Sequence, residues 1–259
     1  MGRSGRRPGW GELSSQDALK RAAAEKALEL VQDGMLLGLG SGSTAKYFTE
    51  GVGRLVASGM KLRCVPSSRA TAELAAKLGV PIVQELLGAI DLAVDGADEV
   101  DPNLNLIKGR GGALFREKIV AAAAKRFVVV VDESKLVKEL GVGVLPVEVS
   151  PFLWRTTAER LIALGSSLTV RGGAEVPFIT DNGNLILDLM FESGMDNPVE
   201  LAAAIKVTTG VVEHGLFVGM TDTCIVAGPG GPRMLGRSAV ARHVQLPGPD
   251  GGQGRKGRH

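Results

Sequence analysis

The chain has 259 residues, 44% hydrophobic, 22% charged and only 4% aromatic, a globular composition whose core must be Val, Leu, Ile and Ala. The formal charge of +2 belongs to the ends: taking the nine Lys/Arg and two Asp/Glu of residues 1–12 and 233–259 from totals of 30 and 28 leaves 21 against 26, a body at −5, which excludes a basic nucleic-acid stripe on the folded part. Two cysteines in apolar runs (Cys64 and Cys224), no apolar run of about 18 residues and no apolar segment behind the N-terminal arginines argue against a disulfide scaffold, a membrane span and a secretory signal, and fit a reducing cytosol.

From Asp17 onward, helix and strand patterns alternate. DALKRAAAEKALELVQDG is a helix closed by Gly34 at its C-cap, and MLLGLG is a buried strand. STAKYFTEGVGRLVAS and SRATAELAAKLG are helices on either side of the strand KLRCVP, and PIV is a further short strand. IDLAVDGAD begins as a buried strand and ends in acidic turn residues. GALFREKIVAAAAKR is a helix and FVVVVDE a strand. This order predicts a Rossmann-like parallel sheet covered by helices on both faces.

Beyond Gly141 the pattern changes. LPVEV, a helix over 152–164, SLTVR, a hairpin in FITDNGNLILDLMF around Asn182-Gly183, a helix over 198–207 and the strand GVVEHGLF make a β-α-β-β-α-β order, that of a smaller ferredoxin-like α+β module. TCIVAG then returns to the first sheet. The expected division is 13–143 plus 215–236 for the Rossmann-like domain, 144–214 for the α+β domain, and disordered tails at 1–12 and 237–259.

Open parallel sheets bind ligands where strands end and helices begin, and four such junctions carry chemistry. GLGSGSTA (38–45) presents Ser41, Gly42, Ser43 and Thr44 at a helix N-terminus. Backbone N–H groups and the dipole favour a phosphate there, although a Ser-capped glycine turn has the same spelling. The segment is neither a Walker A loop nor GxGxxG. DGADEVD (95–101) sets Asp95, Gly96, Ala97 and Asp98 at a strand end; such a carboxylate pair can hold sugar hydroxyls, move protons or bind Mg²⁺, while Asp98, Glu99 or Asp101 can simply cap a turn.

KGRGGALFREK (108–118) places Lys108, Gly109, Arg110 and Gly111 before a helix. At 100° per residue, Glu117 falls on a stripe with Ala113, Leu114, Val120, Ala121 and Ala124. Desolvation on such a stripe raises a carboxyl pKa towards that of a general base. VVVVDESK (128–135) puts Lys135 just past a strand, within reach of a phosphate. The three histidines, His214, His243 and His259, lie outside all four segments, which disfavours a histidine base and a His/Cys metal site. Carboxylate, lysine and hydroxyl groups suit proton transfer beside a carbonyl.

GLGSGSTA, DGADEVD, KGRGGALFREKIV, VVVDESK, LPVEV and TDNGNLILDL, in this order between Asp17 and Gly230, resemble type A ribose-5-phosphate isomerases. The resemblance implies conversion of D-ribose 5-phosphate to D-ribulose 5-phosphate through an enediol, without cofactor or metal, by a homodimer or homotetramer in the cytoplasm. It implies Glu117 as the proton-transferring base and Asp95, Asp98 and Lys108 around the reacting carbons. Gly96, Ala97, Gly109, Arg110 and Gly111 flank them. It implies Ser41, Gly42, Ser43, Thr44 and Lys135 on the phosphate side and Lys20 as a substrate-side lysine. Arg110 and Phe115 depart from the family pattern, where a glycine and a polar residue are usual.

Two rivals use similar folds. A sugar-phosphate-sensing regulator needs an attached DNA-binding module, for which 16 residues before the first helix leave no room. An acyl-CoA transferase-like enzyme would use the glutamate as nucleophile and leave Lys108 and the Asp pair without a task.

Overall fold

The computed structural model describes residues 15–236 apart from 84, 87 and 193; both expected tails lie outside the described residues. The first part of the chain runs α1 (Ser15–Leu28), β1 (Leu36–Leu39), α2 (Ser43–Ala57), β2 (Arg63–Pro66), α3 (Arg69–Lys77) and β3 (Leu92–Asp95). The short strands β4 (Glu99–Val100) and β5 (Leu106–Ile107) precede α4 (Leu114–Ala122) and β6 (Phe127–Asp132). The second part holds β7 (Leu145–Val149), α5 (Trp154–Ile162), β8 (Ser167–Val170), β9 (Leu185–Met190), α6 (Pro198–Lys206) and β10 (Val211–His214). The chain closes with β11 (Leu216–Phe217), β12 (Thr223–Gly228) and β13 (Gly231–Gly236).

The main sheet has six strands in the order β13-β12-β6-β3-β1-β2. All neighbours are parallel except the β12–β13 pair. Every residue of β1, β3, β6 and β12 is buried, as expected of strands covered on both faces. In β6, Val128 and Val130 join the core under α1 and α2, while Val129 and Val131 join the one that contains Val120 of α4 and Phe217. The period-two alternation of strand side chains thus feeds two cores from one apolar run. The connection from β1 leads to β2 on one side, and the chain then crosses to β3 on the other. That reversal opens a crevice at the carboxyl ends of β1 and β3, where doubly wound sheets bind ligands.

The second sheet is antiparallel, in the order β10-β7-β9-β8. Its β-α-β-β-α-β connectivity is the ferredoxin-like arrangement. Its core gathers Val147, Leu161, Leu187 and Ile205. A three-stranded sheet, β11-β5-β4, takes β4 and β5 from between β3 and β6 and β11 from between β10 and β12.

Local details differ from the sequence reading. The first helix stops at Leu28, and Gly34 (φ 83°) sits in the turn before β1 rather than at a C-cap. PIV contributes only an isolated bridge, Cys64 to Ile82. GVVEHGLF is two strands in different sheets, broken at Gly215, whose N–H donates to Pro146 O (2.7 Å) and whose carbonyl accepts from Lys108 N–H (2.9 Å). The α4 helix ends at Ala122, short of Arg126. The hairpin around Asn182-Gly183 is present but short, an antiparallel Ile179–Leu185 bridge with Thr180 N–H to Asn184 O and Gly183 N–H to Thr180 O (both 2.9 Å), and the long partner of β9 is β8. Residues 231–236 pair along the whole of β12, so Arg233 belongs to the sheet and not to a tail.

Candidate active site

The crevice at the ends of β1 and β3 is a cavity of 450 Å³. Its walls include Lys20 of α1, residues 41–44, Gly96, Ala97, Asp98, Lys108, Gly109, Gly111, Glu117 and Lys135. These come from five segments that only the sheet order brings together. Asp95 and Arg110 are the two singled-out residues that do not line it.

Lys108 is the hub. Its side chain is 3% exposed, and Nζ lies 2.5 Å from Gly96 O, 3.1 Å from Asp95 Oδ2 and 3.4 Å from Glu117 Oε1. The ammonium also stands 5.5 Å from the centre of the buried Phe217 ring. Burial opposes its charge, but Asp95 and Glu117 outweigh that cost and hold its pKa above the ordinary lysine value. Burial likewise pushes the Asp95 carboxyl up, with Lys108 pulling the other way. Asp95 Oδ1 accepts the N–H groups of Ser41 (3.0 Å) and Gly96 (2.7 Å). Both of its oxygens are therefore engaged inside the protein. Gly40 makes this possible, because a Cβ there would lie 2.2 Å from the Asp95 carboxyl carbon.

Glu117 is on the first turn of α4, with Leu114, Val120 and Ala121 as the helix's other buried residues. The helical period thus carries the carboxylate inward with its apolar neighbours. Burial, reinforced by the Asp95 charge and only partly relieved by Lys108, pushes its pKa up to about 8. Oε2 is buried with no hydrogen-bond partner. A carboxylate with one oxygen on a lysine and the other unpartnered, on the wall of a cavity, is poised to accept a proton from a ligand.

Across the cavity, α2 begins at Ser43 with Gly42 as N-cap and no side-chain cap. Its first N–H groups have no partner within the helix and present a positive end to an anion. Lys135 and Lys20, whose ammonium stands 3.6 Å from Asp17 Oδ1, line the same cavity.

Arg110 donates its backbone N–H to Asp98 Oδ2 (2.9 Å) and turns its guanidinium to Glu99 Oε1 (3.3 Å). It fixes the loop that carries Asp98. Several lining residues were not legible as site residues. Ser68 and Thr71, at the start of α3, line the cavity, and with Ser67 they form a hydroxyl cluster around Ser41 Oγ at 2.8, 2.8 and 3.3 Å. The signal was present: PSSRAT is another strand-to-helix junction of the same sheet. Phe178 and Asp181 also line the cavity. They come from the antiparallel domain, and nothing local in their sequence points to this crevice.

A doubly wound α/β domain whose switch-point cavity joins a buried carboxylate–lysine pair to an anion-ready helix end defines an enzyme class: proton transfer on a small anionic substrate. The family described as ribose 5-phosphate isomerase A (phosphoriboisomerase A) matches residues 63–231. The ribose-5-phosphate isomerase A of Desulfatibacillum aliphaticivorans is 50% identical over 229 residues, 86% of this chain and 99% of that one. A solved ribose 5-phosphate isomerase from Plasmodium falciparum superposes with a TM-score of 0.82 at 41% identity, covering 85% of this chain and 98% of that one. A D-ribose-5-phosphate isomerase solved in complex with phospho-erythronic acid gives 0.82 at 40% identity, covering 86% and 100%. The chain belongs to the ribose-5-phosphate isomerase A family.

Proposed function

We infer that this protein interconverts D-ribose 5-phosphate and D-ribulose 5-phosphate, a step of the non-oxidative pentose phosphate pathway. The observation that carries the reading is Glu117, buried, unpartnered at Oε2 and bound at Oε1 to Lys108, on the wall of a cavity that also has an anion-ready helix end. The phosphate docks at the α2 N-terminus with Lys20 and Lys135, which leaves the carbonyl end towards Lys108 and Glu117. Glu117 takes the proton from C2 of the open-chain aldose, and the electron pair moves through the C1–C2 bond onto O1. The Lys108 ammonium stabilises the resulting enediolate. Glu117 returns the proton to C1 as the C2 hydroxyl gives up its own proton and becomes the ketone. Asp98, on the cavity wall, takes that hydroxyl proton and passes it to O1, so that C1 ends as the CH2OH of the ketose and no charge is left on the product. Asp95 acts through Lys108, because both its oxygens are taken up within the protein. The deciding assay is incubation with ribose 5-phosphate while ketose is measured; absence of ketose formation overturns the reading.

Lys135→Ala and Thr44→Ala are expected to raise KM more than they lower kcat, because both groups face the phosphate end. Steady-state kinetics check this; a kcat loss at unchanged KM in both variants would place them at the reacting carbons. Activity is expected to survive exhaustive EDTA treatment, since the Lys108 ammonium occupies the position between Asp95 and Glu117 that a cation would take. Loss that Mg²⁺ or Mn²⁺ restores would contradict it.

Residues 13–143 with 215–236 form the catalytic domain in this reading, and 144–214 the smaller one, a division supported by sheet membership. The functional unit is a homodimer or homotetramer. Support comes from the exposed Phe152, Leu153 and Val207, on two connections that meet through Ser150 N–H to Gly210 O (2.9 Å). Light scattering of the purified protein tests it, and a monomer at micromolar concentration would refute it. The free thiols Cys64 and Cys224, both buried and pushed up to about 12 by burial, suit a reducing cytoplasm. No helix among the described residues is long and apolar enough to cross a membrane.

A further inference from the structure

The TDNGN segment, residues 180–184, has no part in the proton transfer above, yet it is held with unusual care. Glu148 on β7 is fully buried, and its Oε1 accepts from Thr180 Oγ1 (2.9 Å), Asn182 Nδ2 (3.1 Å) and Asn184 Nδ2 (2.8 Å). Thr180 Oγ1 in turn accepts the N–H groups of Asn182 (3.2 Å) and Asn184 (3.1 Å). A buried carboxylate that collects three donors from one five-residue turn leaves that turn a single conformation.

The outer side of this turn reaches the other domain. Asp181 Oδ2 accepts the backbone N–H of Arg69, the first residue of α3, at 2.7 Å, and lies 3.8 Å from Arg116 Nη1. Arg116 also donates through Nε to Asn182 Oδ1 (2.7 Å) and through Nη2 to Asp181 O (3.2 Å). Arg116 immediately precedes Glu117 on α4. Just before the turn, Phe178 lies against the bare backbone of Gly112, where a Cβ would come within 2.6 Å of the ring and where φ is +84°. Phe178 and Asp181 thus form a prong of the antiparallel domain, and both line the cavity that contains Glu117 and Lys108.

We propose that this prong is a sugar-reading wall, in which Asp181 accepts a hydroxyl of the substrate chain through Oδ1 and Phe178 packs on its C–H face, so that the pair sets the preference for hydroxyl configuration. An open-chain pentose presents hydroxyls on one side and C–H groups on the other at each carbon. An aromatic face beside a carboxylate complements that pattern. The proposal rests on the isomerase reading of the cavity.

The test compares wild type, Asp181→Ala, Asp181→Asn and Phe178→Leu with D-ribose 5-phosphate and its C3 epimer, D-xylose 5-phosphate. Inhibition by inorganic phosphate is measured alongside. Loss of a hydrogen bond to a charged group corresponds to ~10–100-fold. Asp181→Ala is expected to lose about that in kcat/KM for ribose 5-phosphate, mainly through KM, and to bring the ribose-to-xylose preference down about tenfold. Asparagine keeps an acceptor for the Arg69 N–H, so Asp181→Asn preserves the α3 contact and isolates the charge; its preference should fall too. Phe178→Leu should raise KM for both sugars. Phosphate inhibition should stay within about twofold of wild type in every variant, since none of these substitutions removes a cation or an N–H donor that a phosphate would use. An unchanged epimer preference in both Asp181 variants, or phosphate inhibition weakened as much as sugar binding, would make the prong a structural brace and overturn the proposal. Wild-type protein that fails to turn over ribose 5-phosphate would sink the isomerase reading and the sugar wall with it, whereas normal turnover with unchanged preference sinks the wall alone.

Discussion

Replacement of Glu117 by glutamine is expected to lower kcat by ~10²–10⁴-fold, the usual cost of losing a general base, while the protein stays folded and still binds ribose 5-phosphate. The amide preserves the shape of the side chain and can still accept from Lys108, but it cannot take a proton from C2. Stability should hold or rise slightly at alkaline pH, because the variant no longer buries an ionised carboxylate. The sign follows from linkage. A carboxyl raised to about 8 in the folded protein holds its proton where the unfolded chain, near 4.5, has lost it. It therefore favours folding fully at low pH and loses that contribution as pH rises from the unfolded value through the folded one. The same carboxyl must be ionised to act as base, so kcat/KM of the wild type should climb with pH along a limb centred near 8. A pH–rate profile flat from pH 6 to 9, or turnover retained in the glutamine variant, would remove Glu117 from the mechanism. In D₂O, solvent deuterium should enter the product carbon to the extent that the protonated carboxyl exchanges with water between its two steps.

Lys108→Met is expected to cost ~10²–10³-fold in kcat, the scale of losing one donor to a developing oxyanion, and about 3–5 kcal/mol of stability at neutral and alkaline pH. The second cost arises because Asp95 and Glu117 would remain buried with no cation between them. Without the ammonium both carboxyls would rise further above their unfolded values, so the stability deficit should be largest above the pKa of the folded carboxyls and shrink as pH falls and they take up protons. Denaturant melts of both proteins at pH 5 and pH 8.5 measure this directly. A deficit independent of pH would mean that the variant merely loses packing. Full activity in Lys108→Met would show that the enediolate is stabilised by another group.

Much of this was legible in the sequence for a physical reason. Residues that bind ligands at a doubly wound sheet cluster just after strands, and strands buried on both faces announce themselves as continuous apolar runs such as FVVVVD and LAVD. Glu117 was legible through helical period alone, since a carboxylate in phase with Leu114, Val120 and Ala121 has no solvent to face. The six ordered motifs carried the family, and the comparisons bear that out.

Non-local contact hid the rest. Asp95 and Asp98 read as an equivalent pair, yet the packing of Gly40 and Lys108 turns Asp95 into the interior and leaves Asp98 on the cavity wall. Arg110 read only as a neighbour of the reacting residues that stands where a glycine is usual, and the sequence did not show that its guanidinium turns to Glu99. GVVEHGLF read as one strand because hydrophobic alternation does not say which sheet supplies the partner; Gly215 divides it by bonding to Pro146 and Lys108 at once. Phe178 and Asp181 joined the cavity only when the antiparallel domain docked on α3 and α4. Residue type and local period therefore determined which groups are buried and which strand ends carry chemistry. Which of those groups meet, and which remain open to a substrate, was decided by contacts between segments distant in the chain, because each acceptor and cation is claimed by whatever partner the fold brings nearest.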